Sequence, residues 1–503
     1  MKNFKLLRSF LGLGVAISSF FAVVSCQNET PFMDASGELE GVGAAKPVVV
    51  LGASPDANGN SYISSNRTLT SDTCYILNGF VRVTNGATLT INAGTHILGR
   101  EDDGVNAPVN PGTLIVERGA KINAVGTPSS PVVFSGENKE VGAWGGVIIL
   151  GRASNNLPGG LGEIEGLPVP GTTEGFYGAD FSKGESFDDA DNSGTLQYVR
   201  IEYAGNSIDE VSGNETNGLT LGSVGNGTTL DHVMVSYGND DAFEFFGGTV
   251  DATYLIAYRN RDDNFDTDQG YKGRIQFGIS VAAPADNITV APVNGFESNG
   301  DSDDASTNFT DGTFSNFTVI GPIDPAGSSI ASNYNTGALI RDASELDIFN
   351  SIIVGYPAYQ LELETPGDFG SVVFAEGVTL VYPTYAGFTA QGTNVSGFTT
   401  AGLNNEVLSA SSVAPIGATL HGQSGLKKAA WNIVNSGSDP VPDFVPNVEK
   451  GSDFTSSLLT SGFFNTSVDF RGAFGSAGDP ANAGWNISST WVDWYPADNN
   501  YCN

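Results

Sequence analysis

Gly86-Ala87-Thr88-Leu89-Thr90-Ile91-Asn92-Ala93-Gly94-Thr95-His96-Ile97 is the stretch on which the fold turns. Apolar residues alternate with polar ones and a glycine ends the run, the pattern of a half-buried strand and its turn. The pattern recurs further on, with Leu114, Val116, Gly119 and Ile122 replacing Leu89, Ile91, Gly94 and Ile97. A repeat of about 25 residues is the length of one coil of a β-helix. Further strands are expected at 131–134, 144–151, 196–203, 230–235, 254–257, 314–320 and 346–354. Each is too short to fold alone, and stacking in parallel ladders buries its apolar side. A β-propeller needs longer repeats, roughly 40–50 residues each, and the Asn-Gly hairpin signals of a sandwich are few.

The sequence therefore predicts an all-β protein, a right-handed single-stranded parallel β-helix over residues 47–395. Beyond it, 396–503 reads as an irregular C-terminal region with a short helix near 424–434. Pro440, Pro442 and Pro446 mark an irregular connection there. Trp485, Trp491 and Trp494 are expected to cap the open end of the solenoid, which needs cover against edge-to-edge association.

Residues 1–25 read as a lipoprotein signal peptide: Lys2, Lys5 and Arg8 precede an apolar stretch, 11–24, too short to span a bilayer stably. Val23-Val24-Ser25-Cys26 resembles a bacterial lipobox, which makes Cys26 the lipidated residue and the membrane a partner through that anchor. Residues 26–46 are rich in Gly, Ala and Glu and read as a flexible acidic tether. Glu29 after the cysteine resembles a surface-export signal, so the expected location is the outer membrane, on the cell surface. Removing residues 1–25 takes away three basic residues and no acid, moving the formal charge from −34 to −37. That balance repels phosphate backbones and argues against nucleic acid. It favours divalent cations. Cys74 and Cys502 remain in an oxidising compartment, and a bond between them requires the tail to return to the start of the solenoid.

The chemistry concentrates in a repeated acidic motif. Asp240-Asp241-Ala242-Phe243-Glu244 is followed 22 residues later by Asp262-Asp263-Asn264-Phe265-Asp266, and Gly248 is matched by Gly270. If that spacing makes one coil, the acids stack about 4.8 Å apart. Like charges so placed repel by roughly 1–3 kcal/mol per pair. Relief comes from a bound cation, from basic neighbours or from raised pKa values. Calcium suits Asp240, Asp241, Glu244, Asp262, Asp263, Asp266 and Asp268, being a hard ion that takes six to eight oxygens. The competing reading is turn capping by Asp and Asn, with compensation from Arg259, Arg261, Lys272 and Arg274. Asp188-Asp189-Asp191 and Asp301-Asp303-Asp304 lie outside this register and read as solvated loops.

Gly119-Ala120-Lys121-Ile122-Asn123-Ala124-Val125-Gly126-Thr127 with Pro131-Val132-Val133-Phe134, the stretch 240–250, and the tail 470–494 together resemble the β-helix lipoproteins of Bacteroidota. The resemblance implies a pectate-lyase-like fold and no particular activity.

A solenoid presents long parallel faces. The leading expectation is thus non-catalytic binding of an extended ligand, a glycan (polysaccharide) or an outer-membrane protein, through Arg261, Lys272, Arg274, Tyr258 and Tyr271. A calcium-dependent polysaccharide lyase or glycoside hydrolase is the alternative, and a structural surface spacer the third. The hydrolase reading lacks a Gly-His-Gly motif, and His96, His232 and His421 are too dispersed for a zinc site.

Overall fold

The computed structural model describes residues 45–56, 58–101, 110–164, 167–169, 171–206, 216–283, 292–300, 308–322, 332–364, 375–383, 390–410, 444, 459, 462–476 and 478–502. The signal segment, Cys26, most of the tether, Asp301-Asp303-Asp304, His421, the expected helix and the three prolines lie outside them.

The chain winds as a parallel β-helix. An 11-stranded parallel sheet forms one face, and a 17-stranded sheet folds around the other two. The corner within the larger sheet is made by one left-handed residue per coil: Tyr198, His232, Tyr254, Phe277, Asn316 and Asn350, with φ between 47° and 69°. Pairing runs unbroken on both sides of it, Gln197 on Asp231 and Val199 on Val233. Left-handed backbone disfavours L-residues by about 1–2 kcal/mol each. Ring stacking along the corner offsets this, with centroids 4.3 Å apart for Tyr198–His232, 4.4 Å for His232–Tyr254 and 4.9 Å for Tyr254–Phe277. Inward columns fill the core: Val147, Leu219, Phe243, Phe265 and Phe296 stack in register and are fully buried.

The coil length is not constant. Cys74 stacks on His96, but Leu89 stacks on Ile122, half as far again along the chain. The repeat read from the sequence is therefore not a coil, and Leu114 lies on Val81 in the smaller sheet instead. Its likeness to Leu89 arises because every face uses the same alternating strand and glycine turn. Stacking also continues past 395, with Glu406–Ala410 paired to Thr379–Pro383.

Two segments cover outer faces. Residues 151–193 include an antiparallel pair, Leu161–Glu163 with Phe176–Gly178. Ile164, Leu167 and Tyr177 pack onto Phe80, Ile115, Ile148 and Leu150 of the smaller sheet. Beneath them Arg82 is buried, ion-paired to Glu117 and donating to the Leu167 carbonyl at 2.7 Å.

The tail is a strap, not an end cap. Its described residues run back along the aromatic corner, from Gly472, whose N–H donates to the Asn350 carbonyl at 2.7 Å, to Gly484, whose carbonyl accepts from His232 Nε2 at 2.7 Å. Trp491 meets His232 edge-on at 5.1 Å, the Tyr501 carbonyl accepts from His96 Nδ1, and Cys502 is disulfide-bonded to Cys74. The reason is packing: Met234, Ile256, Tyr258, Ile279 and Val281 point outward on this flank and need apolar cover.

Candidate functional site

Outward-facing positions of the smaller sheet form columns along the helix. One column reads Ile148, Thr220, Glu244, Asp266, Glu297 and Leu339. The regular spacing of the motif thus stacks Glu244 on Asp266, and a third acid, Glu297, continues the row. On the turn before the strand, Asp241 and Asp263 form a second row. Each passes a side-chain bond to the next coil: Asp263 N–H donates to Asp241 Oδ1 at 2.9 Å, and Asn294 N–H donates to Asp263 Oδ1. Asn294 repeats the pattern, accepting from Thr336 N–H at 3.1 Å. Turn capping is therefore real, but Asn294 performs it without charge. The carboxylates of Asp241 and Asp263 are not required for it.

The acids group into three overlapping triads: Asp240, Asp241 and Asp262; Asp241, Glu244 and Asp266; Asp263, Asp266 and Glu297. Within each, one oxygen per residue lies within 4.8 Å of the others. Asp241, Glu244, Asp263 and Glu297 are 4–8% exposed. Burial, reinforced by neighbouring carboxylates, pushes Asp241, Asp263 and Asp266 well above the usual carboxylate range. Burial likewise raises Glu244 to about 8 and Asp268 to about 6. Glu244 Oε1 and Asp266 Oδ1 are buried with no hydrogen-bond partner. Compensation is present at one end, where Arg341 pairs with Glu297 at 2.5 Å and Asn294 Nδ2 donates to Glu297 Oε2 at 3.0 Å. A row of buried oxygens with two orphaned acceptors can take up protons or a hard cation.

The remaining expected residues do not join the row. Asp268 sits on the same strand but belongs to none of the triads. Arg274 is held by Asp251 and lies over the Phe463 ring at 5.0 Å. Lys272 is exposed, with Asp311 its charged neighbour. Arg261 donates to Asn239 Oδ1 at 3.3 Å. Tyr258 and Tyr271 are 1% and 0% exposed, so neither offers a ring to a ligand. Tyr258 packs edge-on against Trp494 under the strap, and Tyr271 packs on Phe245 while its hydroxyl donates to the Val250 carbonyl. Asp188, Asp189 and Asp191 accept local hydrogen bonds, from Ala190 N–H, Ser154 N–H and Ser193 Oγ.

Sequence reasoning missed Glu297, Asn294 and Arg341. The usable signal was the dipeptide Phe-acid, which recurs as Phe243-Glu244, Phe265-Asp266 and Phe296-Glu297. Elsewhere, a polar cleft of about 600 Å³ opens between strap and coils, lined by Ser130, Arg200, Asp493, Asn499 and Tyr501 among others.

Residues 61–401 match the family described as a pectate-lyase like beta helix domain. Among solved structures, tailspike protein 2 of Escherichia coli O157:H7 bacteriophage CAB120 is similar at 14% identity and a TM-score of 0.29. That match covers 73% of this chain, which spans only 38% of the tailspike. The periplasmic alginate epimerase AlgG is similar at 9% identity and a TM-score of 0.21, covering 73% of this chain and 84% of the epimerase. No curated protein matches.

Proposed function

The chain belongs to the pectate-lyase like beta helix domain family, and on that premise we propose a lipid-anchored cell-surface protein that binds an extended glycan without altering it. Calcium in the acid row stiffens the rod. The observation that carries this reading is that the acids converge while the basic groups are spent: Arg341, which reaches the row, is ion-paired to Glu297. A lyase sets a base within about 3 Å of the proton it removes, beside the ion that neutralises the substrate. Here Arg274 is engaged by Asp251, Arg261 by Asn239, and Lys272 lies by Asp311. The cleft beside the strap presents the hydroxyls of Ser129 and Ser130, the Asp493 carboxylate and the amides of Asn499 and Asn500, which suit a hydroxyl-rich chain.

The test is to incubate the mature protein in calcium with a panel of neutral and acidic polysaccharides, following both retention and the appearance of unsaturated uronate or new reducing ends. Retention without new ends is expected. Unsaturated product would replace binding by lyase chemistry, and new reducing ends by hydrolysis. Anchoring is checked separately: Cys26→Ser is expected to release the protein from the membrane fraction and abolish labelling by a fatty acid.

A further inference from the structure

We propose that the acid row is a one-ion site, with a single hard divalent cation of calcium's class held by Asp241, Glu244 and Asp266, and that Arg341 is a resident cation standing in for a second ion. This rests on the cation reading above and says which oxygens hold the ion and why there is only one.

The three triads are not equivalent. In the third, Asp263 Oδ1 accepts from Asn294 N–H, Glu297 Oε2 accepts from Asn294 Nδ2 at 3.0 Å, and Glu297 Oε1 meets the Arg341 guanidinium. The Arg341 guanidinium aimed at Glu297 supplies the positive charge an ion would bring and repels a metal, whereas the Asn294 donors, like the Asp263 N–H on Asp241 Oδ1, leave other carboxylate lone pairs open. The first triad is rimmed by Asp240 and Asp262, which are partly exposed and carry further contacts of their own.

The middle triad differs. Glu244 is 5% exposed, its Oε1 has no partner, and the donor to its other oxygen is Asn217 Nδ2 at 3.4 Å. Asp266 Oδ1, the next rung, is buried and also lacks a partner. A buried acceptor left unmade is unfavourable by about 1–3 kcal/mol, more if charged, and two of them share this triad.

Size agrees. The triad's oxygens lie within 4.8 Å of one another, about twice a calcium–oxygen bond of roughly 2.4 Å. A central ion then sits at most about 2.8 Å from each oxygen, and a small inward shift of the side chains brings all three into the calcium range of roughly 2.3–2.6 Å. Magnesium demands closer, near-octahedral ligation and retained waters, which a row fixed by strand register does not supply.

The experiment is calorimetry with calcium chloride alone on the mature chain, stripped with EDTA, at pH 8. Wild type is expected to bind one ion per chain and Glu244→Gln none, with circular dichroism confirming that the variant is folded. Arg341→Gln is expected to bind two and Arg341→Lys, which keeps the charge, one. No binding by wild type overturns the cation reading itself. If wild type binds one ion but Glu244→Gln binds as well, the ion is elsewhere and only the present assignment falls. Two ions in wild type, or one in Arg341→Gln, overturns the role of Arg341.

Discussion

Removing calcium at alkaline pH should destabilise the protein, and the effect should vanish in mild acid. Glu244 is displaced from 4.5 to about 8 in the ion-free fold. A carboxyl whose folded pKa is raised contributes no penalty below its unfolded value. It destabilises progressively as pH rises through the interval, here from about 4.5 to about 8, and fully above it. At about 1.4 kcal/mol per pH unit, Glu244 alone amounts to on the order of 5 kcal/mol at pH 8. Asp241, Asp263 and Asp266 are shifted in the same direction. At roughly 2 cal/mol/K per residue, a chain of this size has a melting entropy near 1 kcal/mol/K. The midpoint in EDTA should thus fall by about 5 °C or more between pH 5 and pH 8. An ion that keeps the carboxylates charged removes that slope, so calcium should raise Tm strongly at pH 8 and little at pH 5. Melts followed by circular dichroism in EDTA and in calcium across that range decide it. An EDTA midpoint that is flat or rises with pH would refute the reasoning, because buried, mutually repelling carboxylates cannot behave so.

Asp241→Asn should raise the ion-free midpoint at pH 8 while weakening calcium binding, since Asn217 and Asn294 hold the same turn position in other coils; melts in EDTA and calorimetry read the two effects. Cys74→Ser should lower stability by about 2–4 kcal/mol in denaturant unfolding and expose residues near the chain end to limited proteolysis, while the coils resist. Trp491→Ala removes a fully buried ring packed on His232 and Tyr198 and should destabilise by about 3–5 kcal/mol. An unchanged denaturation midpoint would mean that the strap contributes little to the flank.

The fold class was legible because alternation and glycine turns are local properties of each strand. Register was not, because it depends on how much chain each turn inserts. Between Asp240 and Asp266 the coils are uninterrupted, so one constant offset relates Asp241 to Asp263 and Glu244 to Asp266 and exposes two rungs of the acid row. The next offset is longer, which hides Glu297 from a search for regular spacing. Alternation also cannot say whether an outward residue stays exposed. Tyr258 points outward and is buried because Trp494, from the far end of the chain, lies on it. Tyr271 and the two histidines that face the strap, His96 and His232, carried no sequence signal for the backbone carbonyls that accept from them.

The bond from Cys74 to Cys502 spans 428 positions, so nearly all of the coiled chain lies inside one covalent circle. A single peptide cut anywhere within that circle leaves one molecule, not two. Coils touch only their neighbours, so damage to one turn stays local while the circle keeps the severed halves in each other's reach. Under proteolysis that is a form of redundancy: the turns can be nicked and the ends stay joined until the disulfide itself is reduced.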